Sequence, residues 1–410
     1  MVRFVVCALV LMGPLWLGCG STCADIAADR AAFARHEGRP HGVDARLSVP
    51  FAVMDATLAR QLVARPPVEV KLPLAQLGLE LTLSARLDGV HLQPAPDGQV
   101  GVLAQVGLYD GDTRIIDATI ATRVTPIFRE TNPALIVSVR GSDLGAVTPS
   151  TTPASRARLA RWLREKLPRV ARAFATDELT GTAADALLQL FAERVWPAVK
   201  GPVLGTKTLA STELGLPDVP IAQLSVRSSA TTLHLDLQTA LPAAPEALPD
   251  ARDEPRLTLV LAGPTAAALV NEGMARGLVP SRFTSAGKPA PDGAYEARLG
   301  WESGARPLRV HLWQSDAKRG KCQSAVVSGA LAARVERDEL VVDVHDGVIG
   351  SVRGDAMTEA FAWLDALWRD ALELAFRVAS VVSFEAEGQA VELRVHDVAV
   401  DRATVRFELD

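Results

Sequence analysis

The chain has 410 residues, 48% of them hydrophobic, and carries 43 basic against 48 acidic side chains for a net charge of −5. That length and apolar content support two or three buried cores and exclude disorder as the default state. The slightly acidic balance argues against a general nucleic-acid binder, because contacts to a phosphate backbone demand a basic footprint.

Residues 1–18 read as a signal peptide. Arg3 supplies the charged start and Phe4 to Leu17 an apolar stretch too short to span a bilayer. Two processing sites stay open. Gly18-Cys19, with Leu15 and Leu17 upstream, resembles a bacterial lipobox, although Trp16 stands where a smaller aliphatic residue is usual. The resemblance implies that Cys19 becomes the lipidated first residue, anchoring the chain to a membrane. Gly20 after it implies an outer-membrane lipoprotein of the bacterial cell envelope, facing the periplasm. The alternative is ordinary cleavage after Thr22-Cys23-Ala24, which gives a secreted or soluble periplasmic protein. The first is favoured because the Gly-Cys follows the apolar run directly. The choice also decides the cysteines. Processing at Cys19 removes Cys7 and leaves Cys23 and Cys322 as an even pair for a disulfide in an oxidising compartment, whereas cleavage after Ala24 leaves Cys322 alone.

Residues 19–45 read as a tether with a short helical piece, Ala24 to Ala34, closing in Gly38, Pro40 and Gly42. A first module is expected over 46–241. Arg46-Leu47-Ser48-Val49-Pro50-Phe51-Ala52 leads into a helical Thr57 to Leu62. Leu77, Leu79, Leu81, Leu83, Ala85 and Leu87 then alternate with polar residues, the period of a strand with one buried and one solvated face. The parity slips at Asp88-Gly89, which predicts a bulge. Val100 to Leu108 forms the next strand, Asp110-Gly111-Asp112 the turn, Ile116 to Val124 the return, and Leu135, Val137 and Val139 one more.

Thr152-Pro153 opens a helix with apolar Leu159, Trp162, Leu163, Leu167, Val170 and Phe174, and Pro168 predicts a kink in it. Its other face is basic, with Arg156, Arg158, Arg161, Arg164, Lys166, Arg169 and Arg172. Such a helix can lie on an anionic membrane surface through Arg158, Arg161, Arg169 and Arg172, or simply cover a core with a basic outer face. A second helix runs from Ala183 to Val195, ending at Trp196-Pro197. A closing hairpin spans Ile221 to Leu241, where Leu233, Leu235 and Leu237 alternate with His234, Asp236 and Gln238.

Residues 242–255 are rich in proline, alanine and charge without apolar period, and read as a linker. A second module, 256–410, begins with Arg256-Leu257-Thr258-Leu259-Val260-Leu261-Ala262 running into Ala266 to Asn271, an echo of residues 46–62. Alternating strands follow at Tyr295–Trp301, Leu308–Leu312 and Val327–Val335, with a return through Leu340, Val342 and Val344. A long acidic helix is expected over about 355–379, burying Phe361, Leu364 and Trp368, and strands close the chain from Ala390 to Leu409. The fold class is therefore α+β, two repeated modules each wrapping a long curved antiparallel sheet around a long amphipathic helix.

Chemistry is sparse. Gly201 to Thr208 has the wrong glycine spacing for a phosphate loop, and no Gly-x-Ser-x-Gly elbow occurs. No cysteine or histidine spacing suits zinc, and the Asp-Gly pairs at 110–112 and 346–347 read as turns, so neither metal nor cofactor is expected. The seven histidines are scattered, five in or beside strands, and read as solvated strand-face residues; no catalytic residue or enzyme activity is expected.

Taken in order, these elements resemble the tubular lipid-binding superfamily, nearest to its tandem members of the bactericidal permeability-increasing protein type. Ala268-Leu269-Val270-Asn271, with Leu278-Val279-Pro280 close behind, is similar to the segment that leads into the helix in those proteins. The disulfide usual in the animal first domain has no cysteine pair here. The resemblance implies an apolar groove between each helix and the concave face of its sheet, holding lipid or another apolar small molecule. The lining candidates are Leu79, Leu81, Leu83, Trp162 and Phe174 in the first module, and Leu259, Phe361, Leu364 and Trp368 in the second. The competing reading is an envelope interaction scaffold with a filled interior and a protein partner.

Overall fold

The computed structural model describes residues 19–34, 42–56, 67–74, 79–129, 134–167, 172, 176–200, 205, 207–215, 220–244, 246–284, 288–316, 321–336, 339–354, 378–379, 381–386 and 389–410. The signal segment, the helix expected over Thr57 to Leu62, Arg169, Phe174, and the long helix carrying Phe361, Leu364 and Trp368 lie outside the described residues.

In the first half the strands are β1 (Ala45–Pro50), β2 (Val68–Leu74), β3 (Leu79–Pro94), β4 (Val100–Asp110), β5 (Thr113–Val124), β6 (Ile127–Arg129), β7 (Ala134–Arg140), β8 (Val147–Pro149), β9 (Thr208–Gly215), β10 (Ile221–Ser228) and β11 (Thr232–Thr239). The second half has β12 (Leu257–Ala262), β13 (Arg282–Phe283), β14 (Tyr295–Trp301), β15 (Leu308–Asp316), β16 (Lys321–Glu336), β17 (Glu339–Gly354), β18 (Val378–Ala379), β19 (Val381–Ala386), β20 (Gln389–Val400) and β21 (Thr404–Leu409). Among the described helices are α1 (Cys19–Ala34), α2 (Pro153–Lys166), α3 (Asp177–Leu190) and α4 (Gly263–Ala275).

The molecule is sheet-dominated, and every pairing described between these strands is antiparallel. A meander β2-β3-β4-β5-β8 and a small sheet β6-β7-β9 belong to the first half, and β13-β14-β15-β16-β17-β18 to the second. The register of β3 against β4 shifts between Leu87 and Gly89, where the alternation changes phase. Gly111 takes a φ of +62° in the Asp110-Gly111-Asp112 turn, a conformation that the missing Cβ permits. In the second half β16 and β17 shift register twice, near Val326 and Ser328. Such bulges bend long ribbons.

A seven-stranded sheet joins the halves, in the order β10-β11-β1-β12-β21-β20-β19. The two echoed segments are direct partners there, with Leu47 opposite Leu259 and Ala45 opposite Leu261. Outward from this pair, each side carries first the last strand of its own half and then the one before it. Leu47, Val49, Leu233 and Leu235 on one face join a core that continues through Val90, Val102, Ile120, Leu135 and Val137, and also receives Leu257, Val395 and Leu409 from the second half.

Several helices differ from expectation. Thr152 caps α2, its hydroxyl accepting from the Ser155 amide at 3.3 Å, with Pro153 at the first helical position. The helix ends at Lys166, and the kink expected at Pro168 lies outside the described residues. Leu167 is already extended at ψ 143°, because a following proline disfavours the helical region for the residue before it. The helix after α3 does not stop at Trp196-Pro197; it widens over Phe191–Val195 and runs on through Trp196–Val199. Val378 and Ala379, expected inside the long acidic helix, pair instead with Leu340 and Glu339 as β18.

The described residues of the expected linker are neither helix nor strand and form an irregular strap. Its backbone and acids bind the polar face of the joining sheet. Arg46 donates to the Pro249 carbonyl at 2.5 Å, the Glu254 amide donates to Thr232 Oγ1 at 3.0 Å, and Arg406 grips Glu254 in two hydrogen bonds of 2.9 and 2.7 Å. The alternation of β11 therefore does not leave a solvated face: Thr232, His234 and Asp236 are as buried as the leucines between them.

Candidate functional site

The first half encloses one continuous apolar interior. Meander residues Leu83, Val90, Leu92, Val100, Val102, Ala104 and Ile120 face Leu159, Trp162 and Leu163 of α2 and Ala184, Leu187 and Leu188 of α3. Phe191 and Trp196 belong to the same cluster. Among the described residues of 67–200, the buried polar side chains are Ser155 and Thr180, and no charged side chain is buried. Burial of an unpaired charge is so costly that an interior of this kind can offer surface to an apolar guest but little to an ionic one.

Charges collect instead at the rim, where α2 meets the β4–β5 turn. Trp162 Nε1 donates to Asp110 Oδ2 at 2.9 Å, and Lys166 Nζ reaches the same oxygen at 2.6 Å. Lys166 first and Trp162 second hold the Asp110 carboxyl below the usual carboxylate range. Asp117 accepts from Ser155 at 3.0 Å and pairs with Arg158 and Arg114. Arg114 also bonds Asp88 at 2.9 Å, and Tyr109 donates to the other Asp88 oxygen at 2.9 Å.

The membrane-surface candidates are thus divided. Arg158 faces the sheet on Asp117, Arg172 donates to the Glu165 and Leu167 carbonyls at the end of α2, Arg161 is exposed, and Arg169 lies outside the described residues. Of the lining candidates, Leu83 and Trp162 meet in the interior and Leu259 is half-buried against it. The side chains of Leu79 and Leu81, like Phe174, Phe361, Leu364 and Trp368, lie outside the described residues.

The six-stranded sheet carries a helix on each face. Ala297, Leu299, Leu308 and Leu312 face Phe283 at one end and α4 at the other, through Ala267 and Met274. Period-2 geometry sends their neighbours to the opposite face, where α1 lies. Ile26 packs on Trp313 and Cys322, and the Phe33 ring sits 4.6 Å from His311 and 5.5 Å from Trp313. A disulfide joins Cys23 to Cys322, with Cα atoms 5.2 Å apart. Asp29 pairs with Arg353 at 2.6 Å, and Arg30 with Glu296. Burial first and Arg309 second push the His311 imidazole below its ordinary value near 6.5.

Under the strap, one cluster has the residue types of nucleophilic catalysis, and the sequence reading missed it by placing His234 on a solvated face. Ser48 Oγ lies 2.9 Å from His234 Nδ1, Ser229 Oγ lies 2.9 Å from Nε2, and Ser229 donates to Asp253 at 2.5 Å. Because the Ser229 proton is given to that carboxylate, Nε2 carries the proton donated to Ser229, and Nδ1 accepts from Ser48. A serine nucleophile requires the facing nitrogen to accept. Here the nitrogen facing Ser229 donates, while Ser48 is buried, so the cluster cross-links β1, β11 and the strap. Burial and then Arg46 push the His234 imidazole below its ordinary value. Beside it Arg46 Nε bonds Asp236 at 2.6 Å, both side chains being almost fully buried. Their signal in the sequence was the Arg46–Arg256 echo: Arg256 likewise reaches the last strand of its own half, at Glu408, and Asp410 just after it, but from an exposed position.

No family model and no curated protein matches the chain. Among solved structures, it is similar to P47 from Clostridium botulinum A2, at 9% identity and a TM-score of 0.39 over 90% of this chain and 98% of that one. P47 of Clostridium botulinum E1 aligns at 8% identity and 0.35 over 91% and 100%. A crystal structure of lipopolysaccharide binding protein aligns at 10% identity and 0.25 over 90% and 98%. At these scores the functional argument rests on the residues themselves.

Proposed function

We propose that this protein is a non-enzymatic lipoprotein of the bacterial envelope that holds lipid or another apolar ligand between its helices and bent sheets. The observation that carries the reading is the interior between the meander, α2 and α3: built from apolar side chains, with no buried charge among the described residues of 67–200, and rimmed by polar pairs on α2 and the β4–β5 turn. Apolar clefts with polar rims suit acyl chains. The strand order of the joining sheet supports a tandem organisation, two modules of one plan meeting at β1 and β12. The Cys23–Cys322 bridge supports processing at Cys19, since cleavage after Ala24 would discard one of its sulfurs.

Organic extraction of the purified protein followed by mass spectrometry tests the binder, together with uptake of a fluorescent acyl probe. Co-purifying lipid or saturable uptake is expected; neither occurring would overturn it. Separately, an intact mass without diacylglycerol would overturn the lipoprotein assignment. A scaffold with a filled interior is the second reading, favoured by the complete burial of Val100 and Val102 inside the meander. It predicts no probe uptake and a co-purifying envelope protein.

A further inference from the structure

We infer that the lipid-bearing end of the chain is fixed to one pole of the six-stranded sheet, and that this pole faces the headgroups of a phospholipid bilayer. The inference rests on lipidation at Cys19 and adds to it an orientation. Cys19 and Cys23 lie on the same helix, α1, four residues or about 6 Å apart along its axis. Cys322 is the second residue of β16 and stands opposite Ser315, the last but one of β15. Tyr295 opposite Gln314 and Gln323 opposite Gly354 place the start of β14 and the end of β17 at the same pole. The turn from β14 to β15 lies at the other end, roughly 20 Å away for strands of this length.

One bond alone would leave the helix free to swing. Three further contacts set its direction: Ile26 on Trp313, the Arg30–Glu296 pair, and Phe33 beside His311, four residues further from the pole than Ser315. The helix therefore runs away from the pole, and its first turn, with Cys19, points out of it. Lys288, Asp292 and Arg353 are exposed there. Polar side chains of both signs suit contact with a zwitterionic headgroup layer, not insertion into hydrocarbon. A lipid on a loose tether would allow any face of the body to approach the membrane; this one selects a face.

The test uses the full lipidated protein in phosphatidylcholine vesicles that contain a headgroup-labelled quencher lipid. A fluorophore is attached through an encoded azido side chain at position 292 or, at the opposite end, at position 305. Quenching several-fold stronger at 292 than at 305 is expected. In the Cys23→Ser/Cys322→Ser variant the difference should shrink. A second variant keeps the bridge and inserts a flexible stretch of roughly ten residues between Gly20 and Ser21, which should weaken the difference in a body that is otherwise unchanged. Vesicle binding with equal quenching at both positions in the unaltered protein would overturn the orientation alone. Failure to bind vesicles would overturn the anchor, and the orientation with it.

Discussion

Two sheets in this molecule present the same alternation and hide their polar faces by different means. In the joining sheet, Arg46, Ser48, His234 and Asp236 lie under an irregular strap, residues 246–255, held by hydrogen bonds and ion pairs at Pro249, Asp253 and Glu254. In the six-stranded sheet, His311, Trp313 and Cys322 are covered by α1, through aromatic contact and a covalent bond. The first cover is bound by groups that water would also satisfy, so it depends on complete pairing; the second is held whether or not its ion pairs survive. Each covers one histidine whose imidazole burial pushes below its ordinary value.

The sharpest way to break the comparison is to unpair the buried ions. Asp236→Ala leaves Arg46 charged and nearly enclosed, and should cost about 3–5 kcal/mol in urea unfolding of the oxidised protein. Loss of less than 1 kcal/mol would mean that the strap opens to water. Cys322→Ser comes next, at about 2–5 kcal/mol, with partial release of α1 seen as faster amide exchange over residues 23–34. Unchanged exchange there would show that Ile26 and Phe33 suffice without the bridge.

Acidification should affect both covers in one direction. His234 and His311 have folded pKa values below 6.5, so below that pH the unfolded chain binds more protons than the folded one. Their contribution is complete above 6.5 and is lost as the pH falls from there through the folded values. Melting temperature should therefore decline on going from pH 7 to pH 5, and a His234→Asn/His311→Asn variant should decline less steeply. The smallest effects belong to exposed pairs: Arg227→Ala, on the outer side of Asp236, and Arg353→Ala, on Asp29, should each change stability by at most about 1 kcal/mol. A larger loss at Arg227 than at Arg353 would sharpen the contrast, because only Arg227 touches a buried carboxylate.

Period-2 runs made the strands legible in the sequence, and Gly89 and Gly111 marked a bulge and a turn because each sits where the backbone must depart from regular pairing. Thr152-Pro153 marked the start of α2 through capping chemistry that is local. What covers a strand face is not local. Leu-His-Leu-Asp-Leu states which residues share a face, not whether water or a strap 15 residues downstream lies over it, and so His234 reads as exposed. The strap itself has no apolar period because carbonyls and acids hold it. Of the candidate site, Leu83 and Trp162 were legible from their periodicity, whereas the sheet-facing role of Arg158 depends on Asp117, which is 41 residues away and on another element.

The cysteine bridge, finally, makes a ring of most of the chain. Its two sulfurs are separated by 299 positions, so a single protease cut anywhere between them, including in the strap, yields two segments that stay covalently joined. Nicked molecules would migrate as one species until reduced, and damage to an exposed loop would not by itself let either half escape the other.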